Sequence, residues 1–226
     1  MPLSALFSQY STLLPILVVL FLFRKVKDWH VWVIFFYCIY SFTNDSLLLY
    51  RDRRGLSIRT FLYSFTILEY LIFALYIHSI LASKAIRQVL AVISVLLALA
   101  CFYFIVTEPL KQFDSVQSAV CALLLISICI IYFFEQINKP QLTLIYASYH
   151  FWVIIGILIY LAGNFFLLVF ASKFGEKEIE SYWIINHISS VLKNILFAIA
   201  ILIYVKTPKN NKPQMPLEGK YQPFLN

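Results

Sequence analysis

The stretch HVWVIFFYCIYSFTNDSLLLY, residues 30–50, lies without a gap on HFWVIIGILIYLAGNFFLLVF, residues 150–170. Nine of the 21 positions agree: His30 with His150, Trp32 with Trp152, Val33 with Val153, Ile34 with Ile154, Ile39 with Ile159, Tyr40 with Tyr160, Asn44 with Asn164, Leu47 with Leu167 and Leu48 with Leu168. Apolar agreements come cheaply in so hydrophobic a chain. Shared His, Trp, Tyr and Asn do not, so the two stretches read as copies of one helix. The match continues beyond them: EYLIFALYI from Glu69 aligns with KNILFAIAI from Lys193, and STLLPILVVLFLF aligns loosely with CALLLISICIIYFF.

Composition says what kind of helix is being copied. Of 226 residues, 62% are hydrophobic and 18% aromatic, while only 13% are charged, and the mean hydropathy is +0.82. A soluble domain is roughly half apolar and about a quarter charged, so the expected class is an all-α integral membrane protein. Seven apolar runs of about 20 residues follow one another, each long enough to cross a hydrocarbon core of ~30 Å. They lie near 4–23, 29–49, 60–82, 87–106, 115–135, 147–171 and 181–205. The first run lacks a basic leader and a small-residue cleavage site and ends in RKVKD, which predicts a retained span rather than a signal peptide. The chain thus divides into a seven-helix transmembrane domain, 1–205, and a tail, 206–226. The tail's Pro, Lys and Asn content suits a flexible basic cytoplasmic end, the place to expect any cytoplasmic protein partner.

The repeat relates the first three runs to the last three, with the fourth as connector. Three spans followed by one and then three make both halves point the same way, related by an axis along the membrane normal. Orientation follows from Lys and Arg in the loops. One side collects Arg24, Lys25, Lys27, Lys84, Arg87, Lys139, Lys206, Lys209, Lys212 and Lys220; the other collects Arg51, Arg53, Arg54, Arg59, Lys111, Lys173 and Lys177. Ten against seven places the N-terminus outside and the C-terminus in the cytoplasm, with a bacterial cytoplasmic (inner) membrane as the expected location. The net charge of +7 belongs to loops beside spans, which meet anionic lipid headgroups; it does not imply nucleic acid. Cys38, Cys101, Cys121 and Cys129 all fall inside runs without CxxC spacing, so neither a disulfide framework nor a zinc site is expected.

Charges inside the runs need a reason. Along the seventh run, Asn186, His187, Ser189, Ser190, Lys193 and Asn194 fall within an arc of about 160° at ~100° per residue. Lys193 lies about twelve residues from the outer end, hence ~18 Å deep, and Glu69 about ten residues into the third run, hence ~15 Å deep, from the same side. The repeat makes these two pseudo-equivalent. A lone lysine at a helix centre costs about 2.5–3.5 kcal/mol, while a charge pair at ~4 Å gains ~4 kcal/mol at an effective dielectric of ~20. A Glu69–Lys193 pair, direct or water-linked, is therefore expected, aided by hydroxyls from Ser189, Ser190 or Tyr76. Asn44 and Asp45 in the second run, Asn164 in the sixth, and Asn186 and His187 in the seventh share the outer half. Together they predict a ligand pocket floored by Glu69 and Lys193. A purely structural pair that fixes helix register is the alternative. His30, His150, Trp32 and Trp152 fall at the inner ends, as an aromatic belt would. Gly156 and Gly163 share one helix face and predict close helix packing.

The three-plus-one-plus-three layout resembles the plan of sugar transporters of the SWEET class and the seven-helix plan of microbial rhodopsins. The resemblance covers topology over nearly the whole chain, not motifs. The first family's paired PQ and proline signature is missing: Pro15 is the only proline inside a run, and Pro140–Gln141 stands alone. The second family's Arg-Tyr-x-Asp and Trp-x-x-Tyr-Pro segments are missing too, and Ser189 stands where its aspartate, four residues before the lysine, would be. The first resemblance implies small-solute transport; the second implies retinal on Lys193 with Glu69 as counter-ion. The residues themselves point first to a sensor or receptor-like module binding a small ligand. An enzyme is less expected: four scattered histidines never show His-x-x-x-His spacing. No metal or other cofactor is called for.

Overall fold

The computed structural model describes residues 3–56, 59–107, 115–138, 145–170 and 176–207, and these are helical almost throughout, with no strand among them. α1 (Leu3–Ser11) and α2 (Leu13–Leu22) run into a 3₁₀ turn at Phe23–Lys25, followed by α3 (Trp29–Arg53), α4 (Arg59–Ile80) and α5 (Lys84–Thr107). Then come α6 (Ser115–Ile137), a second 3₁₀ turn at Ile145–Ala147, α7 (Tyr149–Phe170) and α8 (Glu176–Lys206). Each apolar run falls on one helix, except that the first is split between α1 and α2. The largest departure from the expected limits is the start of α8 at Glu176. Among the described residues, four segments are long and apolar enough to cross a membrane: Ser4–Lys25, Trp29–Arg51, Ser118–Ile137 and Trp183–Lys206. Ser64–Ile80 and Tyr149–Phe165 are shorter apolar helical stretches. Of the tail expected over 206–226, residues from 208 onward lie outside the described residues, as does the side chain of Cys101.

Local chemistry sets the helix ends. Pro15 has no N–H for the Ser11 carbonyl and its ring crowds that carbonyl, so the first run breaks at Thr12, between α1 and α2. The break is tied from across the bundle, because Asn194 Nδ2 donates to Ser11 Oγ at 2.8 Å and to Thr12 Oγ1 at 3.1 Å. α3 ends at Gly55, whose φ of 63° lets Leu56 N–H reach back to the Arg51 carbonyl at 3.0 Å, a Schellman closure. The link between α4 and α5 is held by Glu135 of α6, which accepts from the Ala82 and Ser83 N–H groups at 2.8 and 3.0 Å.

The helices pack in a ring. α8 lies against α7 on one side and α1 and α2 on the other; α2 meets α3, α3 meets α4, α4 meets α6, and α6 meets α7. α5 packs on α4 at the edge. The α7–α8 contact is the closest-packed, for a reason visible in the glycines. A methyl group added at Gly156 would meet the Phe197 ring at 3.2 Å, and one added at Gly163 would overlap the Ser189 side chain. The apolar core between the helices is built from Tyr37, Tyr76, Ile77, Leu125, Ile154, Ile157 and Phe197, all nearly inaccessible. Cys38, Cys121 and Cys129 are buried among the packed helices. One face of α8, with Ile184, Ile188, Ile195 and Leu202, stays exposed, as expected for a lipid-facing stripe.

Candidate functional site

A cavity of about 480 Å³ opens between the helices in the half of the bundle that holds α1. It draws on α1, on the first half of α4, α6 and α8 and on the second half of α3 and α7. Ser8 and Gln9 contribute from α1, Thr12 from the break between α1 and α2, Ser118 and Leu125 from α6, and Phe65 and Thr66 from α4. Of the residues expected from sequence, Asn44, Asp45, Glu69, Asn164, Asn186, His187, Ser190 and Lys193 line it. Ser189 and Tyr76 do not.

The floor departs from the expected pair. Glu69 and Lys193 make no direct ion pair; the hydroxyl of Tyr37 stands between them. Lys193 Nζ donates to Tyr37 Oη at 2.5 Å, and Tyr37 Oη donates to Glu69 Oε1 at 2.6 Å. Tyr160 Oη donates to Glu69 Oε2 at 3.4 Å, while Lys193 Nζ lies 3.7 Å from the centre of the Tyr160 ring and 4.8 Å from that of Tyr37. Lys193 is 3% exposed and Glu69 8%, so the protein's own groups have to offset much of their burial. Hydrogen bonds to charged groups contribute about 1.5–3 kcal/mol each and a desolvated cation–π contact about 2 kcal/mol. Two such contacts match the roughly 2.5–3.5 kcal/mol that an intramembrane lysine costs.

The hydroxyls named in advance go elsewhere. Tyr76 is seven residues from Glu69, on the same face of α4 but ~10.5 Å further along the axis; its Oη meets His150 Nδ1 at 2.9 Å. Ser189 Oγ donates to the Ile185 carbonyl at 2.8 Å and fills the space left by Gly163. Ser190 Oγ donates to Asn186 Oδ1 at 3.2 Å, which keeps it at the cavity wall.

Sequence reasoning missed Tyr37 and Tyr160. A signal for Tyr37 exists: Tyr37, Ser41, Asn44 and Leu48 recur at helical spacing down one face of α3, and the last three line the cavity. Tyr160 was visible only as the repeat partner of Tyr40, which instead stacks on Phe65 with ring centres 5.5 Å apart.

Two amides in the cavity wall carry unanswered polar atoms. Asn44 Nδ2 and Asn164 Oδ1 are buried with no hydrogen-bond partner among the described residues. Asn164 Nδ2 donates to the Tyr160 carbonyl at 2.9 Å, which fixes its amide so that the oxygen is the free end. These are the two asparagines that the repeat superposes. A buried polar atom left unpaired costs about 1–3 kcal/mol, so this wall is poorer without a guest than with one. Asp45, beside Asn44, has no ion-pair or hydrogen-bond partner among the described residues.

A second polar cluster occupies the opposite end of the bundle. Asp28 Oδ1 accepts from His30 N–H at 3.1 Å and meets His30 Nδ1 at 2.7 Å, and its Oδ2 accepts from Tyr149 Oη at 2.6 Å. His30 Nε2 meets Ser79 Oγ at 3.0 Å, and the His30 and His150 rings lie edge to face, 4.9 Å apart. Burial raises the Asp28 carboxyl, but the hydrogen bonds from His30 and Tyr149 outweigh it and hold it well below the usual carboxylate range. Among the described residues, no three His, Cys, Asp or Glu side chains gather as a metal shell. Compared with protein-family models, curated proteins and solved structures, the chain matches none.

Proposed function

We propose that the chain is a seven-helix membrane protein of three-plus-one-plus-three plan that binds a small ligand in the cavity between its halves and acts as a sensor or receptor-like module. The observation that carries this reading is the pair of repeat-related asparagines whose free amide atoms line a cavity floored by a buried Glu69–Tyr37–Lys193 chain. Pockets of this size, mostly apolar with a few fixed polar groups, are usual ligand sites between bundle helices. Intramembrane ionisable groups point the same way.

The loop charges favour an outside N-terminus, which would open the cavity to the exterior of a bacterial cytoplasmic membrane and put the basic tail in the cytoplasm as the site of any protein partner. Among the described residues only Gly156 and Gly163 lie inside helices, and both are taken up in the α7–α8 contact. So stiff a bundle suits small helix shifts between two packed states rather than broken-helix rocking.

The test is a melting screen of the detergent-purified protein against small polar solutes. A solute that raises the melting point in wild type and loses that effect in Asn44→Leu or Asn164→Leu supports the pocket. A screen in which every solute acts equally on wild type and both variants removes it. Transport is the second reading, favoured by the cavity's place between α3–α4 and the repeat-related α7–α8. Uptake of the same solute into liposomes, abolished by those variants, would replace sensing with facilitation.

A further inference from the structure

The walls of the cavity say something about the charge of its guest. Among the described lining residues the ionisable side chains are Asp45, Glu69, Lys193 and His187. Glu69 and Lys193 serve one another through Tyr37, and Lys193 is further covered by the Tyr160 ring. That leaves Asp45 as the lining carboxylate with no hydrogen-bond or ion-pair contact among the described residues, Lys193 acting on it only from a distance. Arg51 lies over the Phe61 ring at 4.6 Å and Arg54 over the Tyr50 ring at 4.5 Å, and neither is among the residues that line the cavity. With two carboxylates and one ammonium in its lining, the cavity attracts a cation and disfavours an anion.

The neighbouring groups narrow the class. Asn164 Oδ1 is a free acceptor and Asn44 Nδ2 a free donor, so the complement is a cation with N–H groups of its own and an oxygen acceptor. The rest of the lining, with Phe65, Trp183, Leu48, Leu62 and Leu125, is apolar and aromatic. We infer that the cavity takes a primary ammonium group on an apolar body that also carries an oxygen, with Asp45 as the counter-ion, Asn164 Oδ1 accepting from the ammonium and Asn44 Nδ2 donating to the oxygen. This rests on the ligand-pocket reading above. A free arylalkylamine and the headgroup of an aminophospholipid share this chemistry.

The experiment is calorimetric titration of the full-length detergent-purified protein with tyramine, with its uncharged analogue para-ethylphenol and with para-hydroxyphenylacetate. In parallel, lipid retained by the protein is measured from vesicles of phosphatidylethanolamine or phosphatidylglycerol. The expected result is saturable binding of tyramine, at least about tenfold weaker for both analogues and for Asp45→Asn, since a charge-assisted contact is lost. Asp45→Glu, which restores the charge, should recover most of the affinity and guards against a folding artefact. Selective retention of phosphatidylethanolamine, lost in Asp45→Asn, with no tyramine binding, supports the same chemistry with a lipid as its source. If the uncharged or anionic analogue binds as well as tyramine and depends on Asn44 and Asn164, the ammonium inference falls while the pocket stands. If no probe or lipid distinguishes wild type from the Asp45, Asn44 and Asn164 variants, both fall.

Discussion

The Lys193 ammonium lies 3.7 Å from the centre of the Tyr160 ring, and the hydroxyl of that ring turns to Glu69 at 3.4 Å. One side chain therefore serves the cation with its face and the carboxylate with its edge. Tyr160→Phe keeps the face and removes only a long hydrogen bond, so it should cost less than about 1 kcal/mol. Tyr160→Leu removes the face as well and should cost about 2 kcal/mol more. Thermal unfolding in detergent reads both. Equal losses would mean that the ring face does nothing for Lys193.

Tyr37 is the link on which the floor depends. Tyr37→Phe leaves Lys193 and Glu69 each short of a partner, and should destabilise by roughly 2–3 kcal/mol. Lys193→Met or Glu69→Gln alone strands a buried charge and should cost about 3–5 kcal/mol, whereas the double variant should cost less than the sum. Additive losses in that cycle would show that the Tyr37 hydroxyl does not couple the two.

Asp28 gives the protein an acid limit. Its carboxyl is depressed by the His30 and Tyr149 hydrogen bonds despite burial. A depressed folded value means stability that is fully present above the unfolded carboxylate value of about 3.9 and lost as pH falls below it. Melting points should therefore drop below about pH 4 by more in wild type than in Asp28→Asn, which should already be about 1–3 kcal/mol less stable at pH 7. Parallel curves for the two proteins would show that Asp28 carries no such linkage.

The α7–α8 contact should tolerate no added methyl at Gly163. Gly163→Ala drives a carbon into the Ser189 side chain and should cost about 1–3 kcal/mol. Adding Ser189→Gly should restore part of the loss. At Gly55, where φ is 63°, Gly55→Ala should cost about 1 kcal/mol from backbone strain alone. Rescue of Gly163→Ala by Ser189→Gly, but not of Gly55→Ala, distinguishes a steric clash from a conformational one.

The residues that sequence could reveal were those that are rare in an apolar helix. Asn44, Asp45, Glu69, Asn164 and Lys193 stand out against their neighbours, and the helix faces that hold them follow from periodicity. Tyr37 did not stand out, because it is one of 15 tyrosines and a phenol is at home in an aromatic core until its hydroxyl is placed. Tyr76, expected to lend its hydroxyl to the floor, does share a face of α4 with Glu69. A shared face constrains angle but not height, and two helical turns separate it from Glu69. Ser189 was assigned from an arc too wide for the tight approach that Gly163 allows. The pairing of Glu69 with Lys193 was legible in outline, but the tyrosine between them required knowing how far apart α3, α4 and α8 hold their backbones.

The separation of 156 residues between Tyr37 and Lys193 has a consequence for how the protein is made. At about 5–20 residues per second, the tyrosine is synthesised roughly 8–30 s, and its carboxylate partner Glu69 roughly 6–25 s, before the lysine exists. During that interval Glu69 is a carboxylate awaiting its cation, in a bundle whose ring is still open. α8, the last of these helices to be synthesised, is the one that lies against both α7 and the α1–α2 pair. Closing the ring and completing the floor are thus one event in biogenesis, and a nascent chain halted before α8 lacks both.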